Sequence, residues 1–128
     1  MKLLLMFAIL FTLTASADKC GSKNKTGQAT SVYKGKLETK ALCMNYTLRV
    51  TEGNIDTSLV NTSWTDENTG KTYQNAFGLA NPCDFPASIQ QGDEFYFTID
   101  TAKSKDCAVC MAYYPTPSKK LLIKVVPK

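Results

Sequence analysis

Apolar and polar positions alternate along this chain in the manner of a β protein. Between residues 42 and 50 every second position is apolar, which is the period of a half-buried strand. A shorter run of the same kind begins at Tyr33 and ends at Leu37, so residues 31–51 are predicted to form a long hairpin. The alternation returns at residues 95–99, after the turn Gly92-Asp93, and again at residues 121–125.

The middle of the chain predicts further strands and very little helix. Residues 60–77, VNTSWTDENTGKTYQNAF, predict two short strands around a turn at Asn68-Thr69-Gly70. The best helical candidate is the short piece from Pro86 to Gln91. This order of elements predicts an all-β fold of five or six strands that form a small barrel with one short helical turn. An immunoglobulin-like β-sandwich is the alternative.

The N-terminus has the features of an export signal. Lys2 supplies a positive start, residues 3–13 are almost wholly apolar, and Ala15-Ser16-Ala17 places small residues where a signal peptidase cleaves. The apolar run is too short to cross a bilayer as a helix. We therefore predict a signal peptide over residues 1–17, a flexible segment over 18–30 and one domain over 31–128. The predicted location is secreted or periplasmic, without a membrane span.

Charge and composition exclude several classes of function. The chain has 15 basic and 11 acidic side chains, a net charge of +4, and no histidine. So mild an excess is not the clustered basic surface of a nucleic-acid-binding protein, and nucleic acid is not an expected partner. The lack of histidine excludes Ser-His-Asp and Cys-His catalysis and histidine-bound metals. No catalytic residue, metal or cofactor is predicted, and the chain is not expected to be an enzyme.

All five cysteines lie beyond the predicted cleavage point, in a compartment where thiols pair. Cys20 is the predicted odd cysteine because its surroundings are polar and carry no strand pattern. It would be free, lipidated or bonded to a second copy, which makes the protein a monomer or a Cys20-linked dimer. The other four are disulfide candidates with three possible pairings, which the sequence leaves open: Cys43, Cys83, Cys107 and Cys110.

Two of these cysteines form a CxxC motif, Cys107-Ala-Val-Cys110, which suggests either a redox site or a structural disulfide. A catalytic CxxC needs a stabilised thiolate, usually at the start of a helix. Asp106 disfavours a thiolate by its charge, and Pro115 and Pro117 oppose a following helix. The structural interpretation is therefore favoured, with a thiol–disulfide redox protein as the alternative.

Three segments carry a resemblance to known folds: YKGKLETKALCMNYTLRV, NPC and GDEFYFTI. Together they resemble the oligonucleotide/oligosaccharide-binding (OB) barrel and, more loosely, the netrin-like domains of secreted inhibitors. The chain is also similar to small bacterial envelope proteins of the periplasm or the secreted fraction. The netrin-like inhibitors begin with a cysteine, whereas Asp18-Lys19 precede Cys20 here. Inhibitory function is therefore not carried over from this resemblance, and a secreted netrin-like hydrolase inhibitor remains only as a further alternative.

The predicted function is that of an exported binding or structural module without catalysis. Its partner would be an extracellular or envelope protein or a glycan. Aromatic side chains can stack on ligand rings if they are exposed, although most aromatic residues of a small domain belong to its core. The candidates for such stacking are Trp64, Tyr73, Tyr113 and Tyr114. Three N-glycosylation sequons begin at Asn24, Asn45 and Asn61.

Overall fold

A computed structural model of the chain describes residues 30–128. The predicted signal peptide, the flexible segment before Thr30, Cys20 and Asn24 lie outside the described residues. The prediction of an all-β fold is confirmed, since seven strands form one sheet. They are β1 (Val32–Lys40), β2 (Tyr46–Glu52), β3 (Asn61–Thr65), β4 (Thr72–Leu79), β5 (Glu94–Ile99), β6 (Lys120–Leu121) and β7 (Ile123–Val126). The predicted last strand is interrupted at Leu122, so that six strands become seven.

The sheet has the order β3-β4-β2-β1-β5-β7, and all pairs along this path are antiparallel. The remaining strand, β6, pairs with β4 in parallel. The C-terminal segment therefore contacts β5 through β7 and β4 through β6. The predicted hairpins are both present: β1 with β2, and β3 with β4 around the turn at Asn68-Thr69-Gly70.

The pairing of the central strand β1 with β2 shifts register twice, between Lys34 and Gly35 and between Leu37 and Thr39. Such irregularities increase the local twist of a strand. Gly35 is also required by packing, since a Cβ there would lie 2.9 Å from Cε1 of Phe97. The core behind β1 is aromatic and aliphatic, and it contains Leu37, Leu48, Val50, Ile55, Val60, Phe77, Leu79, Phe85, Phe95, Phe97, Leu121 and Ile123.

Two local predictions were wrong. Residues 86–91 form turns rather than a helix, because the Asp93 carboxylate accepts the N–H of Gln90 (2.8 Å) and competes with helical hydrogen bonds. A short 3-10 turn lies just before, at Pro82–Asp84. The alternating run at residues 42–50 was also predicted as strand throughout, but residues 42–44 form a 3-10 turn and β2 begins at Tyr46.

A buried amide holds the C-terminal strand where β6 meets β7. The side chain of Asn81, only 3% exposed, donates to the carbonyl of Ile123 (2.8 Å) and accepts its N–H (3.1 Å). Both backbone groups of Ile123 are thus satisfied by one side chain. The break between β6 and β7 is therefore stabilised by a buried side chain that satisfies the backbone at this point.

Candidate functional site

The four disulfide candidates form two bonds, Cys43–Cys110 and Cys83–Cys107. Their Cα atoms lie 4.8 and 5.9 Å apart, within the range for disulfides. Of the three pairings that the sequence left open, the structure has the one in which each CAVC cysteine bonds to a different distant cysteine. Cys107 and Cys110 therefore do not form a CxxC disulfide with each other.

Both bonds fix the same part of the chain. β5 ends at Ile99 and β6 begins at Lys120, and the 20 residues between them contain no helix or strand. We call residues 100–119 the stapled segment. Loops of this length without secondary structure are uncommon in small domains and are often functional.

Hydrogen bonds from the body of the domain add to the two disulfides. Asp84 accepts the N–H of Lys105 (3.2 Å), and Asp66 accepts the hydroxyl of Tyr114 (3.4 Å). Further bonds involve asparagines: Asn45 Nδ2 to the carbonyl of Ala112 (2.9 Å), Asn61 Nδ2 to Ser118 Oγ (3.1 Å) and the N–H of Lys119 to Asn61 Oδ1 (3.0 Å). Such attachments along its length mean that the segment holds one conformation without regular structure.

These bonds change the interpretation of two sequons. The Nδ2 atom of Asn45 and that of Asn61 are the atoms that a glycan would modify, and both donate to the stapled segment. The two asparagines serve as structural anchors in this fold. Asn24, the third sequon, lies outside the described residues.

Exposed apolar side chains surround the Cys43–Cys110 bond. Leu42 and Met44 flank one cysteine, Val109 and Met111 flank the other, and Tyr113 follows two residues later. Their exposed fractions are 57% for Leu42, 39% for Met44, 44% for Val109, 96% for Met111 and 82% for Tyr113. We call these five residues the apolar tip. Large apolar side chains at such exposure, gathered around one bond, are typical of an interaction surface.

The backbone at the tip is unusual. Cys43 and Met44 have φ angles of 55° and 57°, in the left-handed region that residues with a side chain rarely adopt. Such conformations persist where the surrounding structure holds them, and here the turn carries the disulfide to Cys110 and two hydrogen bonds from Asn45 to the carbonyl of Leu42 (3.0 and 3.3 Å). Sequence analysis missed Leu42 and Met44 because they continue the alternation of the following strand.

The four predicted stacking residues separate into different places. Tyr73 and Tyr114 line one cavity of about 450 Å³, which we call the aromatic groove. Trp64 packs on Tyr73 across the β3–β4 hairpin, with ring centroids 6.3 Å apart and an interplanar angle of 18°. Tyr113 belongs to the apolar tip. The rest of the groove is polar and is lined by Glu38, Thr39, Lys40, Ala41, Thr69, Lys71, Gln91 and Gly92.

Charges in the groove are largely committed to other protein groups. Lys40 donates to the carbonyls of Ile89 (2.8 Å) and Ala87 (3.2 Å), and Glu38 is paired with Arg49. Burial raises the pKa of the Tyr73 phenol above its ordinary value, and the nearby carboxylates of Glu38 and Asp66 add to this effect. The groove thus offers aromatic surface, neutral hydrogen-bonding groups and the ammonium group of Lys71.

The turn between β3 and β4 is closed by its own aspartate. Asp66 is fully buried, and its carboxylate accepts the N–H of Asn68 (2.8 Å) as well as the Tyr114 hydroxyl. Asp66 thereby joins the β3–β4 turn to the stapled segment. Within residues 30–128, no three cysteine, aspartate or glutamate side chains are grouped as metal ligands, and no helix is long and apolar enough to cross a membrane.

Comparison with protein-family models, with curated proteins and with solved structures finds no match for this chain.

Proposed function

We propose that this chain is an exported binding module without catalytic activity, and that its apolar tip binds a partner protein. The observation that carries the proposal is the stapled segment, a long irregular stretch that two disulfides and several hydrogen bonds hold in place while it exposes apolar side chains. Holding a binding segment in one conformation lowers the entropy that is lost on association.

The composition of the tip fits a protein partner. Residues 107–118 contain no charged side chain, and the exposed positions include two methionines and one tyrosine, Met44, Met111 and Tyr113. The centres of protein–protein interfaces are depleted in charge and enriched in methionine and aromatic residues. We therefore expect Met111 and Tyr113 to contribute most of the binding energy.

The OB-like barrel is part of this proposal. The strand order β4-β2-β1-β5, joined at both ends by the C-terminal segment, supports a five-stranded barrel with β3 as an added strand. The parallel pair β4–β6 favours this arrangement over an immunoglobulin-like sandwich, whose sheets are antiparallel. Export through a signal peptide over residues 1–17 is likewise proposed, and two disulfides are compatible with an oxidising compartment.

The disulfide connectivity argues against the redox alternative. A CxxC oxidoreductase cycles between a dithiol and a disulfide of the same two cysteines. Here Cys107 and Cys110 belong to separate bonds that hold the segment to the domain. A reductant would therefore detach the stapled segment from the domain, whereas in a CxxC oxidoreductase it would reduce a bond between the two motif cysteines themselves.

Inhibition of a hydrolase is the second candidate function, and the shape of the tip favours it. Met111 is 96% exposed and directly follows the disulfide-bonded Cys110. A side chain that inserts into an enzyme cleft from a loop of fixed conformation would be placed in this way. In this case the partner protein is an enzyme, and the tip occupies its cleft.

The proposal is tested by affinity capture with the exported chain as bait and the extracellular fraction of its source as prey. A tip variant, Met111→Lys with Tyr113→Ser, should lose at least tenfold of the captured partner. The matched control is Val32→Ser, at another exposed apolar position on β1, and it should retain the partner. Equal capture by the tip variant and the unchanged chain would contradict the proposal, and loss of hydrolase activity in the prey on adding the chain would select the inhibitor function.

A further inference from the structure

The modest net charge of the chain conceals a strong separation of charge within the described residues. Residues 30–99 carry five basic and eight acidic side chains, a net charge of −3. Residues 100–128 carry six lysines and two aspartates, a net charge of +4. The last part of the chain is therefore a basic surface attached to an acidic body.

Three of these lysines recur every four residues along the C-terminal segment, with Lys120 in β6, Lys124 in β7 and Lys128 just after β7. Lys120, Lys124 and Lys128 are exposed, while Leu121 and Ile123 between them are buried, as strand alternation requires. Consecutive lysines of this set are separated by three residues, which is at most about 13 Å of extended chain. We call these three residues the lysine row.

Two further lysines widen the row beside Lys124. Lys103 and Lys105 of the stapled segment line a cavity of about 460 Å³ together with Lys124. The two carboxylates on the wall of this cavity accept backbone N–H groups, Asp84 from Lys105 (3.2 Å) and Asp100 from Ala102 (2.8 Å). These two carboxylates offset part of the positive charge of the cavity, but they form no ion pair with the lysine ammonium groups.

The lysines of this surface form no ion pair with another described residue. The ion pairs within residues 30–128 use Lys34, Lys36 and Arg49, which face Glu38, Glu52 and Glu94 on β1, β2 and β5. Unpaired like charges on one face repel each other, and an anionic partner relieves this repulsion. A row of such charges attracts a partner with repeated negative charge.

We propose that the lysine row binds a linear anionic polysaccharide. A linear polymer fits charges that recur along one segment better than a bilayer does, because this segment lacks the exposed large apolar side chains that insert into a membrane. Nucleic acid fits less well, since the row has no arginine and its neighbouring ring, Tyr96, is covered by Lys128 at 5.8 Å. This surface shares no residue with the apolar tip, so the two binding proposals stand independently.

The test measures binding of the full exported chain to polygalacturonate and to dextran sulfate, with neutral dextran as a blank. Binding should weaken as salt is raised, because exposed charges are screened. The variant Lys120→Gln/Lys124→Gln/Lys128→Gln should bind at least tenfold more weakly. Glutamine keeps most of the side-chain length, which matters at Lys120 because its stem packs over Gly78.

A matched control removes the same charge elsewhere. The variant Lys34→Gln/Lys36→Gln/Lys71→Gln should keep its affinity within about twofold, while Lys103→Gln/Lys105→Gln should lose an intermediate amount. An equal loss in the control triple variant would show that net charge alone acts and would overturn the proposal. So would an absence of binding to both polyanions, or tighter binding to anionic vesicles or to single-stranded DNA. Thermal melts of each variant check that the fold is retained.

Discussion

At the scale of single residues, Tyr73 combines two roles: its ring packs in the aromatic groove, and its phenol can titrate. Its ring packs on Trp64 and lines the aromatic groove, and its phenol lies near the carboxylates of Glu38 and Asp66. Burial and these negative charges both disfavour the phenolate. Folding therefore favours the neutral form of the Tyr73 phenol.

This environment predicts alkaline behaviour with a definite sign. Because the pKa of Tyr73 is higher in the folded than in the unfolded chain, its contribution to stability is complete below about pH 10 and is lost as pH rises through the folded pKa. The difference in tyrosinate absorbance between the unchanged chain and Tyr73→Phe should show a transition above pH 10.0. The same difference in urea should titrate at the ordinary value. A folded transition at or below that value would contradict the described burial.

At the scale of elements, the stapled segment depends on bonds between distant parts of the chain. Cys43–Cys110 joins residues 67 apart in sequence, and Cys83–Cys107 joins residues 24 apart. In the chain-entropy model, loops of these lengths correspond to about 4.4 and 3.5 kcal/mol of stabilisation. For a small domain with about 5 to 15 kcal/mol in total, either contribution is large.

We expect Cys43→Ala/Cys110→Ala to lower the free energy of unfolding more than Cys83→Ala/Cys107→Ala does, by about 1 kcal/mol. Urea unfolding measures both values. Reduction of the unchanged chain should lower the melting temperature by more than loss of either bond alone. A midpoint that reductant leaves unchanged would show that the bonds contribute nothing to stability.

The connectivity is checked by peptide mapping without reduction. Trypsin leaves Cys107 and Cys110 on one peptide, so a second protease must cleave between Ala108 and Val109 to separate them. The expected crosslinked products join Cys107 to Cys83 and Cys110 to Cys43. A Cys107–Cys110 product in the folded protein would restore the redox alternative.

The difference between local and long-range information explains what the sequence could predict. Strand alternation is local, and it correctly predicted β1, most of β2, β5 and the β3–β4 hairpin. It also misplaced Leu42 and Met44, where Asn45 bonds to the carbonyl of Leu42 and Cys43 is joined to the distant Cys110, so that a turn replaces the strand. The pairing of the cysteines and the gathering of lysines depend in the same way on how distant segments meet. The net charge of residues 100–128, which is +4 against −3 for residues 30–99, would have indicated the basic surface from the sequence alone.

At the scale of the whole molecule, the C-terminal segment determines how the sheet holds together. It pairs with β5 through β7 and with β4 through β6, and its inward residues Leu121 and Ile123 enter the core. Asn81 holds the junction between the two pairings. Stability of the entire domain is therefore expected to depend on this one amide.

The variant Asn81→Ala should lower the free energy of unfolding by about 2 to 3 kcal/mol, because it leaves the buried N–H and carbonyl of Ile123 without partners. Urea denaturation followed by near-ultraviolet circular dichroism measures the change. Asn54→Ala, at an exposed position, is the control and should change stability by less than about 0.5 kcal/mol. Equal effects of the two substitutions would show that Asn81 does not hold the strand.

The stapled segment also affects how this protein can evolve. Its conformation is fixed by four cysteines and by side chains of the domain that bond mainly to its backbone, so Ala108, Val109, Met111 and Tyr113 are not needed to shape it. Substitutions at these positions can alter the surface that a partner meets while the core stays intact. The fold thus separates the residues that hold the segment in place from those that form its exposed surface. If the tip binds a partner as proposed, substitutions there can change the partner while the bonds that stabilise the domain are retained.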